Sequence, residues 1–71
     1  MTQKDYYLDI RNGDIAYSTD ADGHFLGADY IKCGEWFTYK TDELNEFIEL
    51  LDYYGFAANA DELRRDNNEL R

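Results

Sequence analysis

The residues best suited to chemistry cluster at Asp20-Ala21-Asp22-Gly23-His24. Ser18, Asp20 and Asp22 offer an oxygen ligand at every second position, Gly23 permits a sharp turn, and Asp29 supplies a further carboxylate downstream. Hard oxygen donors in that order suit a calcium ion. His24, the sole histidine, adds a nitrogen beside two carboxylates. It has no second histidine and no neighbouring nucleophile to activate, so a catalytic triad is not expected. Cys33 is the single cysteine, which excludes an intramolecular disulfide and a cysteine-rich metal site. On an inward strand face it reads as a buried, inert thiol. With 16 Asp and Glu in the chain, carboxylate pairs for acid–base work can be drawn almost at will, so no one pair carries meaning. No glycine-rich phosphate loop is present. The expectation is a protein without enzymatic activity and without a cofactor.

The spacing from Ser18 to Asp29 resembles an EF-hand loop, with Ser18, Asp20, Asp22 and Gly23 at its first, third, fifth and sixth positions. Phe25 falls at the hydrophobic eighth position and Asp29 at the twelfth. Ser replaces the first Asp, Asp replaces the bidentate final Glu, and the flanks read as strands rather than helices. These departures favour a charged hairpin turn over a calcium site.

A second pattern lies in residues 42–54. Leu44, Phe47, Ile48, Leu51 and Tyr54 recur at helical spacing and define an apolar arc. Opposite it run Asp42, Asn45, Glu46, Glu49 and Tyr53, with Asp52 alongside. From Asp42 to Glu49 a helix rises ~10 Å. A DNA strand carries about three phosphates over that distance. Such a carboxylate row suits a groove built for nucleic-acid phosphates. An ordinary solvated helix face is the competing interpretation. The row contains no Lys or Arg to offset its self-repulsion.

The elements that position these residues follow from periodicity. Residues 5–11 alternate, with Tyr6, Leu8 and Ile10 on one face, and predict a half-buried strand. Asn12-Gly13 predicts a hairpin turn, and Asp14 to Thr19 returns as a second strand with Ile15 and Tyr17 inward. Residues 24–27 are ambiguous. Strands are expected at Asp29–Cys33 and Glu35–Lys40, the latter turning Phe37 and Tyr39 to one face and Trp36 to the other. Strand parity places Tyr7, Tyr30 and Trp36 on the sheet face away from the helix, as aromatic anchors for a partner. Thr41 is the expected N-cap of the main helix, 41–55, with Asp42 and Glu43 in its first turn. Gly55 and Phe56 predict a Schellman ending with Phe56 touching Leu51. A tail helix, 59–70, starts at Asn59 in a capping-box arrangement with Glu62 and offers only Ala60, Leu63 and Leu70 as apolar contacts. It reads as weak in isolation. The fold class expected is α+β: a three- to four-stranded antiparallel sheet packed by one amphipathic helix, with a short C-terminal second helix, in one domain spanning 1–71.

Charge dominates the composition. Seven Lys and Arg against 16 acids leave a net charge of −9 over 71 residues, with 12 aromatics and no Pro. That balance argues against direct nucleic-acid binding and against anionic membranes, and favours a basic partner. The first ten residues lack a signal-peptide apolar run, and no stretch reaches the ~20 apolar residues of a membrane span. A cytoplasmic location is the expectation.

Small size, high acidity, seven tyrosines, no proline and no catalytic constellation together resemble the small inhibitors of phages and mobile elements, of the anti-CRISPR and anti-restriction kind. The resemblance is one of composition across the chain and transfers no functional position. It implies an inhibitor that docks on a basic nucleic-acid-binding surface of a defence complex, such as a nuclease or a CRISPR surveillance complex, in some cases by mimicking DNA. Asp42, Glu46, Glu49 and Asp52 would then steer, and Tyr7, Tyr30, Trp36 and Tyr53 would anchor. Two alternatives stand beside it. One is a generic interaction module, immunity- or antitoxin-like or a homodimeric accessory subunit. The other is a calcium-binding domain built on Ser18, Asp20, Asp22 and Asp29.

Overall fold

A computed structural model describes residues 2–11, 13–32 and 34–68. Asn12, Cys33 and Leu70, expected as a turn residue, an inward thiol and an apolar contact, lie outside the described residues.

The alternating segments form two long strands. β1 (Lys4–Ile10) pairs antiparallel with β2 (Gly13–Thr19), in register from Lys4 opposite Thr19 to Ile10 opposite Gly13. Gly13 thus already belongs to β2, one residue earlier than the Asn-Gly pair suggests. Gly13 is needed for a different reason from turn conformation. A Cβ at this position would stand 2.4 Å from the Ile31 carbonyl oxygen.

β3 (Phe25–Tyr30) and β4 (Tyr39–Thr41) complete a four-stranded antiparallel sheet of order β1-β2-β3-β4. Both strands depart from expectation. β3 begins four residues before Asp29, because the β2 ladder continues around the 20–24 turn with an irregularity between Ser18 and Thr19. Tyr30 lies opposite Ile15 and shares its inward face, so it is buried rather than exposed. β4 is only three residues long, and Trp36 and Phe37 sit in the irregular segment before it. Phe37, expected inward, is exposed.

α1 (Leu44–Tyr53) and α2 (Ala57–Asp66) follow. Thr41 is still paired with Ala28 in the sheet, so the chain can turn into a helix only at Glu43, which takes the N-cap position without a side-chain cap. Asp42 therefore precedes the helix. The far end of α1 is the expected Schellman motif: Gly55 N–H donates to the Asp52 carbonyl at 3.2 Å and Phe56 N–H to the Leu51 carbonyl at 2.8 Å. Gly55 has φ +88°, which glycine alone adopts cheaply. α2 starts two residues before the expected cap. Asn59 lies inside it and donates from its amide to the Tyr17 hydroxyl at 2.9 Å.

The core joins Ile15, Tyr17, Ala28 and Tyr30 of the sheet to Phe47, Ile48 and Leu51 of α1 and Ala60 and Leu63 of α2. Aromatic rings carry much of the packing. Tyr6 stacks on Tyr17 at 4.5 Å, and Phe47 meets both Tyr17 and Phe25, at 5.0 and 5.2 Å. α2 is firmly docked despite its few apolar residues. Asn67, 2% exposed, accepts the Phe25 N–H at 2.9 Å. Its amide donates to the carbonyls of Gly23 and Leu63, at 3.1 and 2.8 Å. That side chain clasps the end of α2 to the 23–25 turn. No helix among the described residues is long and apolar enough to cross a membrane.

Candidate functional site

The 20–24 turn is organised by Asp20. One carboxylate oxygen accepts the backbone N–H groups of Asp22 and His24, at 2.9 and 3.0 Å, and the other lies 3.4 Å from His24 Nδ1. These bonds, the His24 N–H foremost, hold the Asp20 carboxyl below the usual carboxylate range. Asp20, Asp22 and His24 each bring one ligand atom within 4.8 Å of the others. The four residues of the calcium reading are not brought together. Ser18 donates to the Asp5 carboxylate at 2.8 Å, and Asp29 faces Lys40 at 4.0 Å. Both Asp20 oxygens are engaged by the protein itself, which makes this side chain a brace of the turn.

The eight expected partner-binding residues fall in several places. Glu46, Glu49 and Tyr53 share the exposed face of α1, Tyr53 being 81% exposed. Asp52 is tied to Arg64 of α2, which also pairs with Asp61, so its charge is neutralised locally. Asp42 lines the open side of the sheet with Tyr7. Tyr30 is in the core, where burial first, then the field of Glu46, holds its hydroxyl above the usual tyrosine range. Trp36 projects from the 31–38 segment and is 93% exposed.

The carboxylate row is thus Glu43 at the N-cap, then Glu46 and Glu49 on α1, the last two separated by a rise of ~4.5 Å. Among the described residues, no ion pair engages any of the three. The row runs toward Tyr53, which with Leu50 and Tyr54 lines a groove against Arg11, Lys32 and Glu35. Lys32 lies 4.6 Å above the Tyr39 ring, and Tyr39 donates its hydroxyl to both Glu35 oxygens, at 2.8 and 2.9 Å. That bond raises the Tyr39 hydroxyl above its usual range. These contacts brace the base of the segment from which Trp36 and Phe37 protrude. Phe37 joins the exposed aromatics, its ring 5.0 Å from that of Tyr39. Sequence periodicity missed Phe37, because the short β4 removes it from the strand parity that would have turned it inward.

The sheet face away from the helices is bare. Gln3, Asp5, Tyr7, Ala16, Ser18 and Leu26 are among the residues lining an open groove there. Tyr7 is the only one of the three expected aromatics on it, and Leu26, 51% exposed, is an addition.

No family model matches the sequence, and neither a curated protein nor a solved structure matches it.

Proposed function

We propose that this protein is a binding module that docks on a cationic surface of another macromolecule, of the kind that otherwise holds nucleic-acid phosphates, and so acts as an inhibitor. One observation carries the reading. Exposed Tyr53 shares the outer face of α1 with Glu46 and Glu49, which no ion pair engages among the described residues, and two further exposed rings, Trp36 and Phe37, stand on the segment before β4. Exposed rings of this size are the residues that dominate binding energy once buried. Unpaired carboxylates speed encounter with a basic partner and exclude acidic ones. A net charge of −9 disfavours self-association through the same face. The wider resemblance to anti-CRISPR and anti-restriction inhibitors is consistent with such a partner, a nuclease or surveillance complex. The complex would form without direct contact between this protein and nucleic acid.

The test is capture of partners from bacterial lysate on tagged protein, at low and high salt, with E46K/E49K run in parallel and duplex DNA as competitor. The expected result is a basic nucleic-acid-processing protein that is lost at high salt, lost on the folded double variant, and displaced by duplex DNA. A partner retained by E46K/E49K and indifferent to salt and to DNA would overturn the reading.

A further inference from the structure

The strand β1 occupies one edge of the sheet. Its seven residues contain neither Gly nor Pro, whereas the opposite edge strand, β4, has three residues. An edge of that length presents a row of backbone donors and acceptors, the template on which another strand can pair.

The direction of those groups can be read from the neighbouring ladder. The Ile31 N–H donates to the Asp14 carbonyl at 2.8 Å, so Asp14 turns its backbone toward the β3 side. Asp9 is its cross-strand partner. In an antiparallel ladder, residues directly opposite either bond to each other or both turn away. Asp9 therefore turns its N–H and carbonyl to the open edge, and by alternation Tyr7 and Asp5 do the same. The side chains of these three residues also stand on the bare sheet face, where all are exposed.

Charge selects the occupant. A second copy paired antiparallel about Tyr7 would set Asp5 against Asp9 twice, and like charges directly opposite are destabilising. Asp9 already faces Asp14 across the β1–β2 ladder. Asp5 is held in place by bonds from Gln3 and Ser18, at 2.9 and 2.8 Å, which keep its carboxyl below the usual range. Two carboxylates thus flank an exposed ring on a strand edge whose backbone groups face outward.

We infer that the β1 edge takes an extended, cationic segment of another protein by strand addition, with Lys or Arg opposite Asp5 and Asp9 and a small side chain opposite Tyr7. This surface is separate from the exposed face of α1, and the inference does not rest on the function proposed above.

The probe is a capped peptide, Thr-Lys-Val-Thr-Val-Lys-Thr. Antiparallel to β1, its lysines fall opposite Asp9 and Asp5, its central threonine opposite Tyr7, and its valines beside Leu8 and Tyr6. Titration into labelled protein, followed by amide NMR, is expected to shift the amides of Asp5, Tyr7 and Asp9 and to slow their hydrogen exchange. N-methylating the lysines and the central threonine keeps the charge but blocks the ladder, and is expected to weaken binding at least about tenfold. Replacing the peptide's lysines by glutamates is expected to abolish binding, an arm that does not depend on any protein variant folding. Equal binding of the N-methylated or of the acidic peptide would overturn the inference. So would an absence of shifts with the parent peptide, or the same shifts on concentrating the protein alone.

Discussion

Asn67 holds more of the tertiary structure than its type suggests. Its one side chain satisfies the Phe25 N–H and the Gly23 carbonyl of a turn more than 40 positions away, and closes on Leu63 within its own helix. Truncation leaves a donor and acceptors without partners in a buried place, a loss of about 1–3 kcal/mol. Asn67→Ala is therefore expected to lower unfolding free energy by about 2–3 kcal/mol in urea titration, a large share of a small domain's stability. Nothing in the polar run from Arg64 to Asn68 signals this, because the partners are fixed only by the tertiary fold. Tyrosine makes the same point. Tyr7 and Tyr30 are of one type, yet one is on the bare face and the other in the core, because register decides. Tyr17 and Tyr30 are raised chiefly by burial, and Tyr39 by its bond to Glu35. A raised folded value favours the neutral phenol in the native state. The stabilisation is complete below the ordinary tyrosine range and is lost as pH rises through the raised values. The denaturation midpoint is expected to fall on that alkaline side, together with the late appearance of tyrosinate absorbance. A flat midpoint there would count against the burial of Tyr17 and Tyr30 and the Tyr39–Glu35 bond.

Elements whose signals are local were legible, and elements set by pairing were not. The alternation in residues 5–19 and the Gly55-Phe56 ending lie within a few residues of their cause, and the structure reproduces them. β3 and β4 were misplaced, because the irregularity at Ser18 and Thr19 and the pairing of Thr41 with Ala28 are cross-strand facts. The misplacement carried over to the candidate site: it put Trp36 and Tyr30 on a sheet face that neither occupies, and Asp42 on a helix that starts after it. Two glycines separate the kinds of cause. At Gly55 a Cβ meets open space, so Gly55→Ala is charged only for left-handed backbone, about 1–2 kcal/mol. At Gly13 a Cβ meets backbone oxygen at 2.4 Å and the two strands must part. Gly13→Ala is expected to destabilise the protein by clearly more than Gly55→Ala in the same denaturant series. The reverse order would mean that the approach of Ile31 to β2 is looser than described.

Across the described residues, the two helical arginines and Lys40 pair close by, and carboxylates without ion pairs remain on several surfaces. Arg64 and Arg65 spend their charge within the helical layer, on Asp52, Asp61, Glu62 and Asp66. Lys40 faces Asp29 on the sheet. Among the described residues the row on α1 has no ion pair, as is also true of Asp5 and Asp9 on β1 and of Asp42, and on α1 it leads to exposed Tyr53. If that row served solvation alone, reversing one of its charges would leave binding untouched. The physics of the helix makes the two roles separable. Glu46 and Glu49 repel at a spacing of three residues, and a cation at the first of these positions would attract instead, a gain of about 0.5 kcal/mol. Glu46 also sits in the first turn of α1, where a carboxylate suits the helix dipole, so that loss offsets the gain and Glu46→Lys is expected to leave the melting temperature little changed. The same change removes one charge from the steering field and plants a like charge against a basic partner. Binding to such a partner is expected to weaken about tenfold or more, mainly through slower association that becomes less sensitive to salt. A variant that is as stable as the parent, and still binds equally well at low salt, would reduce the row to a solvated face and leave the exposed rings to account for recognition alone.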